Sequence, residues 1–124
     1  MTTINPELLA VTNELNQSTI NILGDKLRRI ILYGSRARGD YKAYSDVDIM
    51  ILADYDEQER SLYENALADT ASDLSLEHDI IVSVMLNNEK LFMNRAGISP
   101  FYRNVLSEGI EIYGKHQNIS KVSV

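Results

Sequence analysis

The chain has 124 residues, 44% apolar and 24% charged, with 12 basic against 18 acidic side chains, a formal charge of −6 and no cysteine. A chain of this length buries about two-thirds of its unfolded surface, enough for one core and therefore one domain, 1–124, structured over 5–113. The apolar fraction excludes a disordered chain, and the longest apolar runs, Ile30–Tyr33 and Ile49–Ala53, are too short to cross a bilayer. Lack of cysteine excludes disulfides, zinc-thiolate sites and thiol catalysis. The acidic balance argues against a broad nucleic-acid-binding face, so phosphate chemistry requires a local site. The N-terminal MTTINPELLAVTNE lacks the basic and apolar regions of a signal peptide, which predicts a soluble cytoplasmic domain with no membrane partner.

Asn5-Pro6-Glu7 reads as an N-cap, a proline at the first helical position and an acid in the first turn. Leu8, Val11, Leu15 and Ile22 continue at helical spacing to Gly24, a C-terminal stop. The β-branched run Arg28–Tyr33 is a strand ended by Gly34-Ser35, and the polar stretch Arg36–Ser45 is a loop or short helix. Asp46–Ala53 is a second strand, followed by a helix over Asp56–Leu74 that carries Tyr63, Leu67, Thr70 and Leu74 along one side. Leu76–Leu86 reads as a third strand, LEHDIIVSVML. Short helices are expected at Asn88–Asn94 and Ser99–Leu106, then a final strand at Gly109–Tyr113 and a frayed polar tail from Lys115. The pattern implies an α/β (α+β) domain, a small mixed β-sheet with helices packed against it.

Three features carry chemistry. A glycine-serine turn after a strand is often only a turn, but Gly34 also lets backbone approach a phosphate, and Ser35 offers an N–H and a hydroxyl. Arg36 and Arg38 follow at once, and each could grip the same anion with a forked guanidinium or simply face solvent. Asp46 and Asp48 lie two apart at a strand start, so both carboxylates share a face opposite Val47, Ile49 and Ile51. Two such acids are harmless when exposed; buried, they repel unless a divalent cation bridges them, and all-oxygen ligands suit Mg²⁺ or Mn²⁺. Asp79, within the apolar run, is costly in a core unless it binds metal, and a third carboxylate from a neighbouring strand would complete a two-metal site. Glu77 shares its strand face and competes for that role, while His78 points to the other face as a structural or surface residue. His116, in the tail, carries no signal. Together these fit in-line attack of a hydroxyl on a nucleoside triphosphate. Neither the P-loop pattern nor G-x-G-x-x-G occurs.

The segment GSRARGDYKAYSDVDIMI, Gly34 to Ile51, resembles the signature of the DNA polymerase beta-type nucleotidyltransferase superfamily: Gly-Ser, ten residues, then Asp-x-Asp. FYRNVLSEGIEIYGK, Phe101 to Lys115, is similar to the end of the small single-domain members, the minimal nucleotidyltransferase (MNT) antitoxins of HEPN/MNT toxin–antitoxin pairs. The resemblance implies a polymerase beta-like fold and ATP as AMP donor. It also implies two Mg²⁺ ions on Asp46, Asp48 and Asp79, with Gly34 and Ser35 on the phosphates and Asp79 also as general base. In that branch the AMP acceptor is a tyrosine of a HEPN toxin, which is thereby blocked. About forty residues follow the third strand, leaving no room for an acceptor-binding domain, so the acceptor is expected on another chain. Two alternatives stand beside this: a small-molecule, aminoglycoside-type nucleotidyltransferase, and a catalytically idle module that neutralises a toxin by contact.

Overall fold

A computed structural model of the chain describes residues 5–115. Helix α1 (Pro6–Leu23) begins where Asn5 Oδ1 accepts the Leu8 N–H at 2.7 Å and ends at Gly24, whose φ of 56° suits a residue without a Cβ. After a 3₁₀ turn come β1 (Leu27–Tyr33), the one-turn helix α2 (Ser35–Arg38) and β2 (Val47–Ala53). A second 3₁₀ turn, stabilised by a reciprocal Asp56–Glu59 capping box, leads into α3 (Arg60–His78). The remainder is β3 (Val82–Asn88), α4 (Glu89–Ala96), α5 (Pro100–Glu108) and β4 (Ile110–Gly114).

The strands form one mixed sheet in the order β3-β2-β1-β4, with β2 parallel to β3 and both other pairs antiparallel. The two faces carry separate cores. On one, Leu8, Val11 and Leu15 of α1 and Leu67, Ala71 and Leu74 of α3 cluster with Ile30, Leu32, Val47, Ile49 and Ile51. On the other, Phe92 of α4 and Val105 of α5 pack against Ile31, Met50 and Leu52. The continuous apolar run of β2 reflects this double cover, as expected for a strand paired on both edges and packed on both faces.

The third predicted strand requires correction. Helix α3 runs to His78, and β3 begins only at Val82. Leu76, the first residue of the expected strand, is 83% exposed on the helix. Asp79 ends the helix in the left-handed conformation, φ 52° and ψ 47°, a role usually taken by glycine or asparagine. Ser75 makes the handover: its hydroxyl donates to the Ala71 carbonyl and accepts the Val82 N–H at 2.9 Å. Glu77 and His78 therefore belong to a helix end. The tail beyond Lys115 lies outside the described residues.

That helix end is tied to α1, because His78 Nε2 lies 3.0 Å from Glu14 Oε2 and 3.6 Å from Glu77 Oε2. The hydrogen bond to Glu14, against a smaller opposing effect of burial, raises the His78 pKa above its ordinary 6.5. A raised folded pKa means that the contact contributes fully below the unfolded value and is lost as pH rises through the folded one. Glu14→Gln is therefore expected to lower the melting temperature at about pH 5.5 and to have little effect at about pH 9. Thermal melts at the two pH values check this; equal losses at both would remove the protonated imidazole from the explanation.

Candidate active site

Chain reversal at α2 brings the end of β1 and the start of β2 to one rim of the sheet, with Tyr33 opposite Asp48. Because β3 is parallel to β2, its first residues reach the same rim: Val82 pairs with Val47, and Ser83 with Asp48. The start of β4 arrives there as well, Ile110 opposite Leu32.

Gly34 makes the turn with φ 76° and ψ −160°, a region open essentially only to glycine. A Cβ at this position would stand 2.5 Å from Asp48 Oδ2, so the glycine gives the carboxylate room against the turn. Ser35 then opens the α2 turn, where an N–H has no helical carbonyl to bond. Gly39, at φ 91°, ends the turn in the left-handed region.

Asp46 is exposed just before β2, and Asp48 is half-buried within it. Asp48 occupies the sheet face of Met50 and Leu52, while Val47, Ile49 and Ile51 face the α1–α3 core, as the alternation predicts. Burial first, and the charge of Asp46 second, push the Asp48 carboxyl above its ordinary pKa; Arg38 acts in the opposite direction. Two hard oxygen donors that repel each other make a site which a divalent, oxygen-preferring cation relieves, so Asp46 and Asp48 fit Mg²⁺ or Mn²⁺.

The two arginines have diverged in use. Arg38 is exposed at the rim, with Nε 3.3 Å from Asp40 Oδ2 and Nη1 3.6 Å from Glu108 Oε1. Arg36, expected to grip phosphate, is only 3% exposed and has other work. Its Nη2 donates to the carbonyls of Ser45 at 3.0 Å and Ala43 at 3.4 Å, and its guanidinium lies 4.7 Å from the Tyr41 ring centre. It therefore fixes the loop that delivers Asp46 to the rim. Arg36→Lys keeps the charge but loses the fork, and is expected to cost about 1–3 kcal/mol of stability in urea unfolding. An unchanged urea midpoint would show that the loop holds itself.

Asp79, Asp46 and Asp48 are not all close enough to share an ion in this arrangement. Asp79 is exposed at the end of α3, ahead of Ile81, whose carbonyl accepts the Val47 N–H at 2.8 Å. Among the described residues, the one trio of His, Cys, Asp or Glu side chains close enough to share an ion is Glu14, Glu77 and His78, on α1 and α3. Glu77 is thus grouped with Glu14 and His78 where α1 meets α3. The rim also contains residues that motif reading passed over. Tyr33, whose pKa is raised by burial and then by Asp48, donates to Met85 Sδ at 3.4 Å and meets Phe101 edge-on at 5.8 Å between ring centres. Glu108 pairs with Arg38 across some seventy residues of chain, a contact that no local pattern encodes.

The family model for polymerase beta nucleotidyltransferases matches residues 17–118, which take in the turn, the acid pair and all four strands. The chain belongs to this family. It is 36% identical over 88 residues to MJ0604 of Methanocaldococcus jannaschii, provisionally named a protein adenylyltransferase, covering 71% of this chain and 80% of that protein. A second protein of the same organism and the same provisional name, MJ0141, is 39% identical over 80 residues, covering 64% of this chain and 79% of the relative. Among solved structures, the toxin–antitoxin MntA–HpeT, in a variant with two aspartates changed to glutamate, superposes with a TM-score of 0.54 at 20% identity, over 90% of this chain and 83% of that one. A toxin–antitoxin structure with AMP-PNP gives 0.53 at 21% identity and the same coverage. These likenesses show the fold, a four-stranded mixed sheet with five helices, as in polymerase beta-like nucleotidyltransferases. The protein is accordingly a nucleotidyltransferase, and it is similar to two proteins that carry the adenylyltransferase name.

Proposed function

We propose that this nucleotidyltransferase moves AMP from ATP to a hydroxyl of a partner protein, a tyrosine of a HEPN toxin, and so acts as the antitoxin. The observation that carries the reading is the acid pair at the rim, with Gly34 shaped to admit the Asp48 carboxylate. The relatives' names support protein as the acceptor, and the toxin–antitoxin and AMP-PNP structures of the same fold support the partner and the nucleotide.

Asp46 and Asp48 would hold Mg²⁺, which when bound offsets the charge of the triphosphate and of the departing pyrophosphate. The Gly34–Ser35 turn takes the phosphates through backbone and hydroxyl donors, and Arg38, exposed beside Asp48, adds positive charge where the triphosphate enters. In-line transfer then forms the bond from acceptor oxygen to α-phosphorus as the bond to pyrophosphate breaks and the hydroxyl proton passes to water.

The test is incubation of the chain with Mg²⁺, α-labelled ATP and the toxin encoded beside it. Label is expected on the toxin and is expected to vanish when the acceptor tyrosine is changed to phenylalanine. Label on an aminoglycoside but not on the toxin would overturn the protein acceptor. Neutralisation of the toxin by an Asp46→Ala, Asp48→Ala double variant, without label, would overturn transfer altogether.

A further inference from the structure

Resting on the metal-binding reading above, the strand register has a consequence for how many ions this protein can hold by itself. An acid on β3 beside Asp48 would supply the third carboxylate of a two-metal site. The residue there is Ser83, the direct β3 partner of Asp48 and on the same sheet face, since Asp48, Met50 and Leu52 stand beside Ser83, Met85 and Asn87. Ser83 is half-buried at the rim, and its hydroxyl has no hydrogen-bond partner among the described residues. Asp79 is held at the end of α3 by its N–H to the Ser75 carbonyl, the next residue, Ile80, is buried in the core, and the Asp79 carboxylate forms no ion-sized trio with Asp46 and Asp48.

We infer that Ser83 stands in the third ligand position, so that Asp46 and Asp48 alone hold one divalent ion and a second enters only with the triphosphate. Charge supports this assignment. Two carboxylates balance one divalent cation, and a second ion beside it would be repelled until phosphate oxygens arrive to share both. Arg38, already acting on Asp48, adds to that repulsion.

Titration of the full chain with Mn²⁺, followed by electron paramagnetic resonance, reads this without any turnover. Wild type is expected to bind one equivalent alone and a second when AMP-PNP is added. Ser83→Asp, checked for folding by circular dichroism, is expected to tighten nucleotide-free Mn²⁺ binding by about tenfold or more. Asp79→Asn is expected to leave both steps unchanged. Two equivalents bound without nucleotide in a Glu14→Gln background, which removes the separate Glu14–Glu77–His78 trio, or weakened binding in Asp79→Asn, would overturn the inference. So would a folded Ser83→Asp variant that binds Mn²⁺ no better than wild type. Absence of label on the toxin alongside an intact one-ion titration would count against the proposed acceptor and leave this assignment standing.

Discussion

Asp48→Asn is expected to lower AMP transfer by more than about 100-fold while leaving the metal-free protein at least as stable as wild type. The loss follows from the site: Asp48 is one of two carboxylates at the rim, and removing a direct ligand exceeds the usual cost of removing a ligand's supporting partner. The stability follows from the same residue's environment. Burial and the neighbouring Asp46 raise its folded pKa above the unfolded value, so the ionised carboxylate works against folding. Below the ordinary carboxylate range, where Asp48 is protonated in both states, the variant gains nothing. As pH rises through that range, wild type gives up stability that the asparagine variant keeps. Transfer rates with α-labelled ATP at about pH 8, and urea midpoints at about pH 2.5 and pH 8, check the two halves together. A variant that is inactive and also markedly less stable at the higher pH would mean that Asp48 supports the fold rather than a bound ion.

Gly34→Ala is expected to be costly on both counts. Its φ and ψ fall where alanine pays about 1–3 kcal/mol. The added methyl would also collide with Asp48 Oδ2, so either the turn or the carboxylate must move. Stability should fall by that amount, and transfer should fall further than stability explains, because displacement disturbs the reacting geometry. Gly39→Ala provides the comparison: it also has positive φ, but nothing lies within 4 Å of its missing Cβ. It should lose stability and keep most of its activity once folded. Equal activity losses in the two variants, measured at a temperature where both are folded, would show that strain alone matters at Gly34.

Much of the framework was legible because its signals are local. Asn5, Pro6 and Gly24 bound α1 as their capping chemistry predicts, and the alternation of VDIMILA assigns Asp48 and Val47 to opposite faces. The third strand failed at LSLEHDIIV. A short apolar run does not distinguish strand from helix, and Leu76 and Ile81 are both exposed there. The strand on which Asp79 and Glu77 were expected begins three residues later than Asp79, so both stand at the end of a helix instead.

By itself, then, the sequence determined the helix caps, the glycine-serine turn, the facing of the acid pair and, through their combined spacing, the family. Each depends on the covalent geometry of neighbouring residues, where side-chain direction follows from periodicity. Only the tertiary structure decided that Arg36 is buried against the carbonyls of its own loop, that Glu108 meets Arg38, and that Ser83 rather than an acid stands beside Asp48. Those outcomes depend on the register of β3 against β2 and on how loops close over the sheet. A shift of one residue turns every side chain to the other face, and no pattern within a single strand specifies which residue its neighbour will present.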